Sequence, residues 1–310
     1  MKKVFYLVVA LLFVVGLASC GDKGNQVENP EIKVYTRDTT SGTRDGFFST
    51  IGFKDAVSDN TVLVAGYVEV EGNGQMITAV KNDKYGVGYI SLSSLEDSGL
   101  RGLSYEGVEP TEANVINETY KLTRNFNYAI RNDFDNETEE ALVKAFVAYM
   151  GTKEGKAAIK GADGIVEIKN TDPSWDDIKA DHPVTAQDNS GVTIKFGGST
   201  SVEKVAKALS AEFSPKSGDF VVEHEHTGSG DAFKRAQGSE KDGANKIHIG
   251  FASREFKLTD SEQLAEGTYG KLCTDAIVAV VNNDNDFSAV TGEILTKMYN
   301  GTFTKWEDVK

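Results

Sequence analysis

The chain has 310 residues, 39% of them hydrophobic and 26% charged, with 31 glycines and only 5 prolines. That balance is too polar for a protein of many membrane spans and too apolar for a disordered one, and the length suits two domains. Lys and Arg total 33 against 47 Asp and Glu, so the net charge of −14 repels a nucleic-acid backbone unless cations gather on one face, and the sequence has no such face.

At the start, Lys2 and Lys3 precede the charge-free run 4–18. It is shorter than the roughly 20 residues of a bilayer span and suits the core of a signal peptide, here 1–19. The run ends in Leu17-Ala18-Ser19-Cys20, which resembles a bacterial lipobox, in which the cysteine is lipidated and becomes the first mature residue. The expectation is a lipid-anchored extracytoplasmic protein, at the cell surface or in the periplasm, held to the membrane through Cys20. Residues 20–31 are polar and read as a tether. Cys273 is then the one remaining thiol, so no internal disulfide is expected, and its place beside the apolar run 276–281 predicts a packed, inert side chain.

Short β-branched runs at 32–36, 62–70, 87–92, 127–130, 192–196, 220–224, 247–251 and 276–281 predict strands, and apolar spacing over 138–160 and 202–213 predicts helices. Their alternation predicts an α/β fold. The acidic stretch 133–140 lacks calcium-loop spacing and reads as a helix start. Residues 169–191, with Asp172-Pro173 and His182-Pro183, read as a connector.

The run 32–36 leads into Arg37-Asp38-Thr39-Thr40-Ser41-Gly42-Thr43-Arg44 and then Phe47 and Phe48, a strand, a loop and a helix start. Free amides at a helix start carry partial positive charge, Ser41 and Thr43 add hydroxyls, and Gly42 admits close backbone approach. Arg37 adds a planar fork suited to an oxyanion. Helix capping alone also accounts for Ser and Thr here, but the pattern returns. Gly197-Gly198-Ser199-Thr200, Thr227-Gly228-Ser229-Gly230-Asp231 and Ala252-Ser253-Arg254 each follow a predicted strand. Ligands of open α/β sheets bind outside the carboxyl ends of strands, so a small oxyanion is the expected guest.

The strings YTRDTTSGTRDGF (35–47), GNGQMITAVKNDKYGVGYISLSSL (72–95), GGSTSVEKVAKAL (197–209), TGSGDAF (227–233), IGFASRE (249–255) and MYNGTFTKWEDV (298–309) together resemble the phosphate-binding proteins of phosphate ABC transporters, the PstS-like family. The resemblance implies a two-lobed, periplasmic-binding-protein-like α/β fold of type II with the ligand cleft between the lobes. It implies a monomer that captures inorganic phosphate and passes it to an ABC permease, with no catalysis, cofactor or metal. Matching strings carry over Arg37, Ser41, Gly42, Thr43, Ser199, Thr200, Ser229, Ser253 and Arg254 as ligand positions. In the family the Ser-Thr, Gly-Ser-Gly and Ala-Ser-Arg loops come first, then the Trp string, then the Arg loop. Here the Arg loop opens the chain and the Trp string closes it, the order expected of a circular permutation joined through 169–191, or of a fragment of a longer tandem chain. A permutation predicts one continuous lobe, 123–278, and one split lobe, 32–122 plus 279–310. Strands near 122–130 and 276–281 would be the hinges, and Lys310 would finish near Ile32.

Telling protonated phosphate from sulfate requires an acceptor for the ligand's proton. Some family members offer an Asp where this chain has Arg254, leaving Asp231, Asp38 or Glu255 as substitutes. Sulfate or molybdate is therefore the alternative ligand, and a surface sensor or adhesion module without transport the alternative role. His224-Glu225-His226 has a zinc-like spacing without a local third ligand and reads as strand-end polar alternation, and His248 as a turned-out strand residue. The nucleophile motif G-x-S-x-G is absent. Tyr85, Tyr89 and Tyr105 read as packing or rim aromatics.

Overall fold

The computed structural model describes residues 30–309. The signal segment, Cys20, most of the tether and Lys310 lie outside the described residues, among which no helix is long and apolar enough to cross a membrane. In chain order the elements are β1 (Lys33–Arg37), α1 (Gly42–Thr50), β2 (Val68–Val70), α2 (Gly72–Lys81), β3 (Gly86–Ser91), β4 (Arg101–Gly102), β5 (Ser104–Tyr105), α3 (Glu112–Ile116) and β6 (Thr123–Ile130). They continue with α4 (Glu137–Met150), α5 (Lys153–Gly161), α6 (Trp175–Ile178), β7 (Thr193–Gly198), α7 (Glu203–Phe213), β8 (Val221–His226), α8 (Ser229–Ala236), β9 (Ile249–Ala252), β10 (Tyr269–Val281), β11 (Ala289–Val290) and α9 (Gly292–Tyr299).

The main sheet runs β2-β1-β3-β10-β6-β9-β7-β8, with β4 also on β10. Parallel pairing joins β1 to β2 and β3, and joins β7 to β8 and β9. Between these two parallel groups stand the antiparallel strands β6 and β10, paired from Tyr269 opposite Ala129 to Ala276 opposite Thr123. Parallel strands need crossover helices, which cover the faces and make the strands apolar throughout; β3 and β9 are buried at every residue. One core gathers Phe126, Phe146, Phe196, Leu209, Phe213 and Phe251. A second gathers Phe47, Phe48, Tyr89, Ile277, Leu295 and Tyr299. Strand β10 contributes to both, Leu272 and Cys273 to the first and Ala276, Ile277, Ala279 and Val281 to the second, while β6 gives Phe126 and Ile130 to the first.

Several expected elements are altered, each for a local reason. The helix expected over 138–160 is two helices, because Thr152 Oγ1 donates to the Tyr149 carbonyl (2.7 Å) and accepts from Gly155 N (3.1 Å), capping a new helix. Of the strand expected over 62–70, only Val68–Val70 pairs; residues 60–62 form a tight turn capped by Asp59, and Gly66 reverses the chain at a φ of 84°. The strand expected at 276–281 begins earlier, at Tyr269, with a bulge between Lys271 and Cys273. Residues 169–191 are more than a linker: a capping box starts α6, and Trp175 packs edge-on against Tyr149 and Phe213. Cys273 is buried, and burial raises its thiol far above the ordinary value. His248, expected to turn outward, is buried and accepts from the Lys195 amide (2.8 Å). Its neighbour strand needs that acceptor to complete its own hydrogen bonding.

The two ends of the described residues meet. Ile32 N donates to the Thr304 carbonyl (2.8 Å), Trp306 N to the Pro30 carbonyl (3.2 Å), and Trp306 Nε1 to the Tyr85 carbonyl (3.1 Å).

Candidate functional site

Helix α1 starts at the carboxyl end of β1, and its aromatic face fixes where that start sits. Phe47 stacks on Tyr89 (4.1 Å between ring centres, 14° between planes), and Phe48 meets Tyr299 edge-on at 5.2 Å. Ser41 is the N-cap, its hydroxyl accepting from Arg44 N at 3.4 Å. Its side chain is thus engaged in capping, as a helix start requires. Arg44 braces the loop from within, donating through Nη1 to the Arg37 carbonyl (2.7 Å) and through Nε to the Ala56 carbonyl (2.8 Å).

Three of the other predicted loops reach the same helix start. Ser253 Oγ lies 2.9 Å from Ser199 Oγ and 3.0 Å from Ser229 Oγ, and Ser253 N donates to Ser229 Oγ (2.9 Å). A Cβ built on Gly42 would stand 2.4 Å from Ser229 Oγ and 2.7 Å from Ser253 Oγ, so only glycine fits against these hydroxyls as they stand. All three serines are buried. Gly198 is held at a φ of 95° with Phe251 O 2.2 Å from where its Cβ would be, which brings Ser199 N onto the Phe251 carbonyl (2.7 Å) and aligns β7 with β9. Thr43 Oγ1 bonds Ser201 Oγ (2.9 Å), and Thr200 packs on Gly72 at the start of α2.

Arg37 is 1% exposed, and its Nε and Nη1 are buried without a hydrogen-bond partner. Its backbone amide donates to the Tyr89 hydroxyl (3.1 Å), which also bonds Thr36 Oγ1 (2.8 Å). Asp38 stands 3.9 Å from Nη2, too far for a hydrogen bond. Burial pulls the guanidinium below its ordinary pKa, against the pull of Tyr89 and Asp38. A buried cation with free donors is costly unless an anion satisfies it. Arg124, on β6, is a further buried guanidinium: Nε and Nη2 hold Asp275 Oδ2 (2.9 and 2.8 Å), while Nη1 has no partner. Ser91 Oγ also donates to Asp275 (2.8 Å) and bonds Ser93 Oγ (2.8 Å). Burial lowers Arg124 and raises Asp275, and their bidentate contact opposes both shifts.

Arg254 stands apart from this cluster. Its Nη1 and Nη2 each lie 2.7 Å from a Glu262 oxygen, a fork-to-carboxylate pairing. Sequence reasoning missed Ser201, Asn73 and the Arg124–Asp275 pair. Asn73 lay inside a quoted string without being singled out, and the pair carries no local pattern. His224 and His226 are stacked (5.4 Å) and linked Nδ1 to Nε2 at 3.1 Å, with His226 Nδ1 3.1 Å from the Ser199 carbonyl. Burial pushes both down to about 4, so they buttress the Ser199 loop as neutral rings. Among the described residues no group of three His, Cys, Asp or Glu is placed to hold a metal ion.

A cleft of about 460 Å³ leads to these loops, lined by Asp38, Thr40, Glu69, Glu71, Gly72 and Thr200 among others. Its carboxylates make the mouth acidic while the buried donors behind it are cationic and amidic. Anion affinity here therefore rests on short-range donors and not on the surface field.

Residues 183–310 match a family model described as "PBP superfamily domain". The chain is 27% identical over 316 residues to the "Phosphate-binding protein PstS 2" of Streptococcus pneumoniae serotype 4, covering 100% of this chain and 99% of that protein. To its namesake in Streptococcus agalactiae serotype V it is 27% identical over 314 residues, covering 99% and 98%. A crystal structure of a phosphate ABC transporter phosphate-binding protein from S. pneumoniae TIGR4 superposes with a TM-score of 0.63 at 25% identity, covering 91% of this chain and 100% of that one.

Proposed function

We infer that this chain, which belongs to the PstS-like phosphate-binding proteins of the PBP superfamily, is a non-catalytic extracytoplasmic protein that captures inorganic phosphate and delivers it to an ABC permease. The observation that carries the reading is the meeting of Ser199, Ser229 and Ser253 hydroxyls at Gly42, beside a helix N-terminus and a buried Arg37 with two unpartnered nitrogens. Phosphate would take its hydrogen bonds from Arg37, the amides of Gly42 and Thr43, and the hydroxyls of Thr43, Thr200 and the three serines. We assign Ser41 to capping and Arg254 to Glu262 instead of to the ligand.

In this reading the two cores are two lobes, 32–122 plus 279–310 and 123–278, hinged through β6 and β10 and closing on the anion. Closure around fixed donors excludes water and strengthens each contact. The pairing of residues 30–32 with 304–306 supports a circularly permuted order relative to other family members. The protein would act as a monomer anchored through lipid on Cys20.

Calorimetric titration of purified protein, freed of bound anion, tests the assignment. Phosphate should bind far more tightly than sulfate or molybdate, and Arg37→Ala should weaken phosphate by about 1.5–3 kcal/mol, the worth of a hydrogen bond to a charged group. Tighter binding of sulfate or molybdate would reassign the ligand, and binding of none would favour a sensor or adhesion role.

A further inference from the structure

The phosphate reading leaves one chemical requirement open. At neutral pH phosphate keeps at least one P–OH, whereas sulfate keeps none, so a site that prefers phosphate needs a hydrogen-bond acceptor among its donors. The carboxylates named from the sequence are occupied elsewhere. Asp38 accepts from Thr40 N (2.9 Å) and from the Thr40 hydroxyl, Asp231 accepts from the Thr227 hydroxyl, and Glu255 accepts from Asn125 Nδ2 (2.9 Å). All three sit in exposed contacts. Asp275 is buried but already receives Arg124 and Ser91.

Asn73 differs from all of them. It is the second residue of α2, only 4% exposed, and its Oδ1 is buried with no hydrogen-bond partner. Its Nδ2 donates to Ser201 Oγ (3.1 Å), which in turn bonds Thr43 Oγ1 (2.9 Å) on the first turn of α1. The preceding residue, Gly72, packs against Thr200, with a built Cβ only 3.2 Å from Thr200 Cγ2. The amide is thus tied to two of the proposed phosphate loops, with one strong acceptor left over. A buried carbonyl oxygen without a donor is costly and marks a place where a donor is expected.

Resting on the phosphate reading, we propose that Asn73 Oδ1 accepts the P–OH hydrogen of bound phosphate, which makes Asn73 the residue that selects protonated tetrahedral oxyanions over sulfate. Sulfate in the same pose would set an oxygen lone pair against the amide oxygen. A neutral amide performs this role without repelling a dianion as a carboxylate would. It also cannot titrate, so the preference should hold wherever phosphate retains a proton. The bond from Nδ2 to Ser201 positions the amide, and the Ser201 bond to Thr43 registers it against α1.

The test is calorimetry of wild type, Asn73→Ala and Asn73→Asp with phosphate and with sulfate, each chain checked by thermal melting. Asn73→Ala should weaken phosphate about tenfold while leaving sulfate unchanged or tighter, so the phosphate-to-sulfate preference falls at least about tenfold. Asn73→Asp retains an acceptor and should retain the preference even if both affinities drop. Should the alanine chain melt early, Asn73→Leu, which has no acceptor and keeps the volume, supplies the same comparison with less lost packing. Equal losses of both anions in a folded Asn73→Ala would mean the amide presents Nδ2 or only supports Ser201, and would overturn the assignment while leaving phosphate binding in place. A wild type that binds neither anion overturns the phosphate reading itself, and this assignment with it.

Discussion

Gly42 shows how much of this site depends on the absence of an atom. Helix starts usually accept alanine, yet here a methyl would fall within 2.7 Å of two serine oxygens. Gly42→Ala should therefore displace the Ser229 and Ser253 hydroxyls and weaken phosphate by about 2–4 kcal/mol, one to two hydrogen bonds to a charged group. Its melting temperature should stay near wild type, because alanine favours the helix. Calorimetry beside a thermal melt checks this, and an unchanged affinity would remove those hydroxyls from the ligand shell. The two arginines of the same loop divide the work by partner: Arg44 gives Nε and Nη1 to main-chain carbonyls and leaves only Nη2 unpartnered, whereas Arg37 leaves both Nε and Nη1 unpartnered. The sequence could not separate them, since both sit among the same hydroxyls and only the folded chain distributes carbonyl acceptors.

Among the elements, β6 and β10 matter most, because they are the antiparallel strands that join two parallel groups. Their shared ion pair, Arg124 with Asp275, is buried on both sides and reached by Ser91 from β3. Asp275→Asn leaves a buried guanidinium without its counter-charge, and should lower unfolding stability by about 3–5 kcal/mol. Urea unfolding measures it, and a loss under about 1 kcal/mol would show that the pair is not held ionised. Neither residue is conspicuous in a strand pattern, where a lone charged residue reads as solvent-facing. Helix α1 was legible because its apolar pair Phe47-Phe48 follows a capping serine. The break between α4 and α5 was not, because Gly151-Thr152 interrupts without disturbing the apolar spacing.

For the whole molecule, three histidines, His248 buried and His224 and His226 half-buried, set an acid limit. His224, His226 and His248 are all pushed down to about 4, chiefly by burial, with Lys207 and Arg235 near the first pair and Arg131, Lys246 and Lys195 near the third adding repulsion. Glu203 and Asp135 oppose these shifts without reversing them. The unfolded chain takes up protons near pH 6.5 and the folded chain only near 4, so between those values unfolding binds protons. The stabilisation is complete above about pH 6.5 and is lost progressively as pH falls towards 4. Chemical denaturation at pH 7.5, 6 and 5 should show stability declining before most carboxylates titrate. A flat profile between 7 and 5 would mean the rings are hydrated in solution.

From its order of residues alone, the chain determined the α/β alternation, the strand-loop-helix turns and the oxyanion character of the donors, because these follow from local periodicity and residue chemistry. Tertiary structure decided which donors share a neighbourhood. Thr43 meets Ser201 across 158 positions, Ser91 meets Asp275 across 184, and Arg254 leaves the cluster for Glu262. Such partnerships depend on packing between elements far apart in sequence, and hydrogen-bonding groups buried by that packing accept whichever complement the fold brings within 3 Å or so.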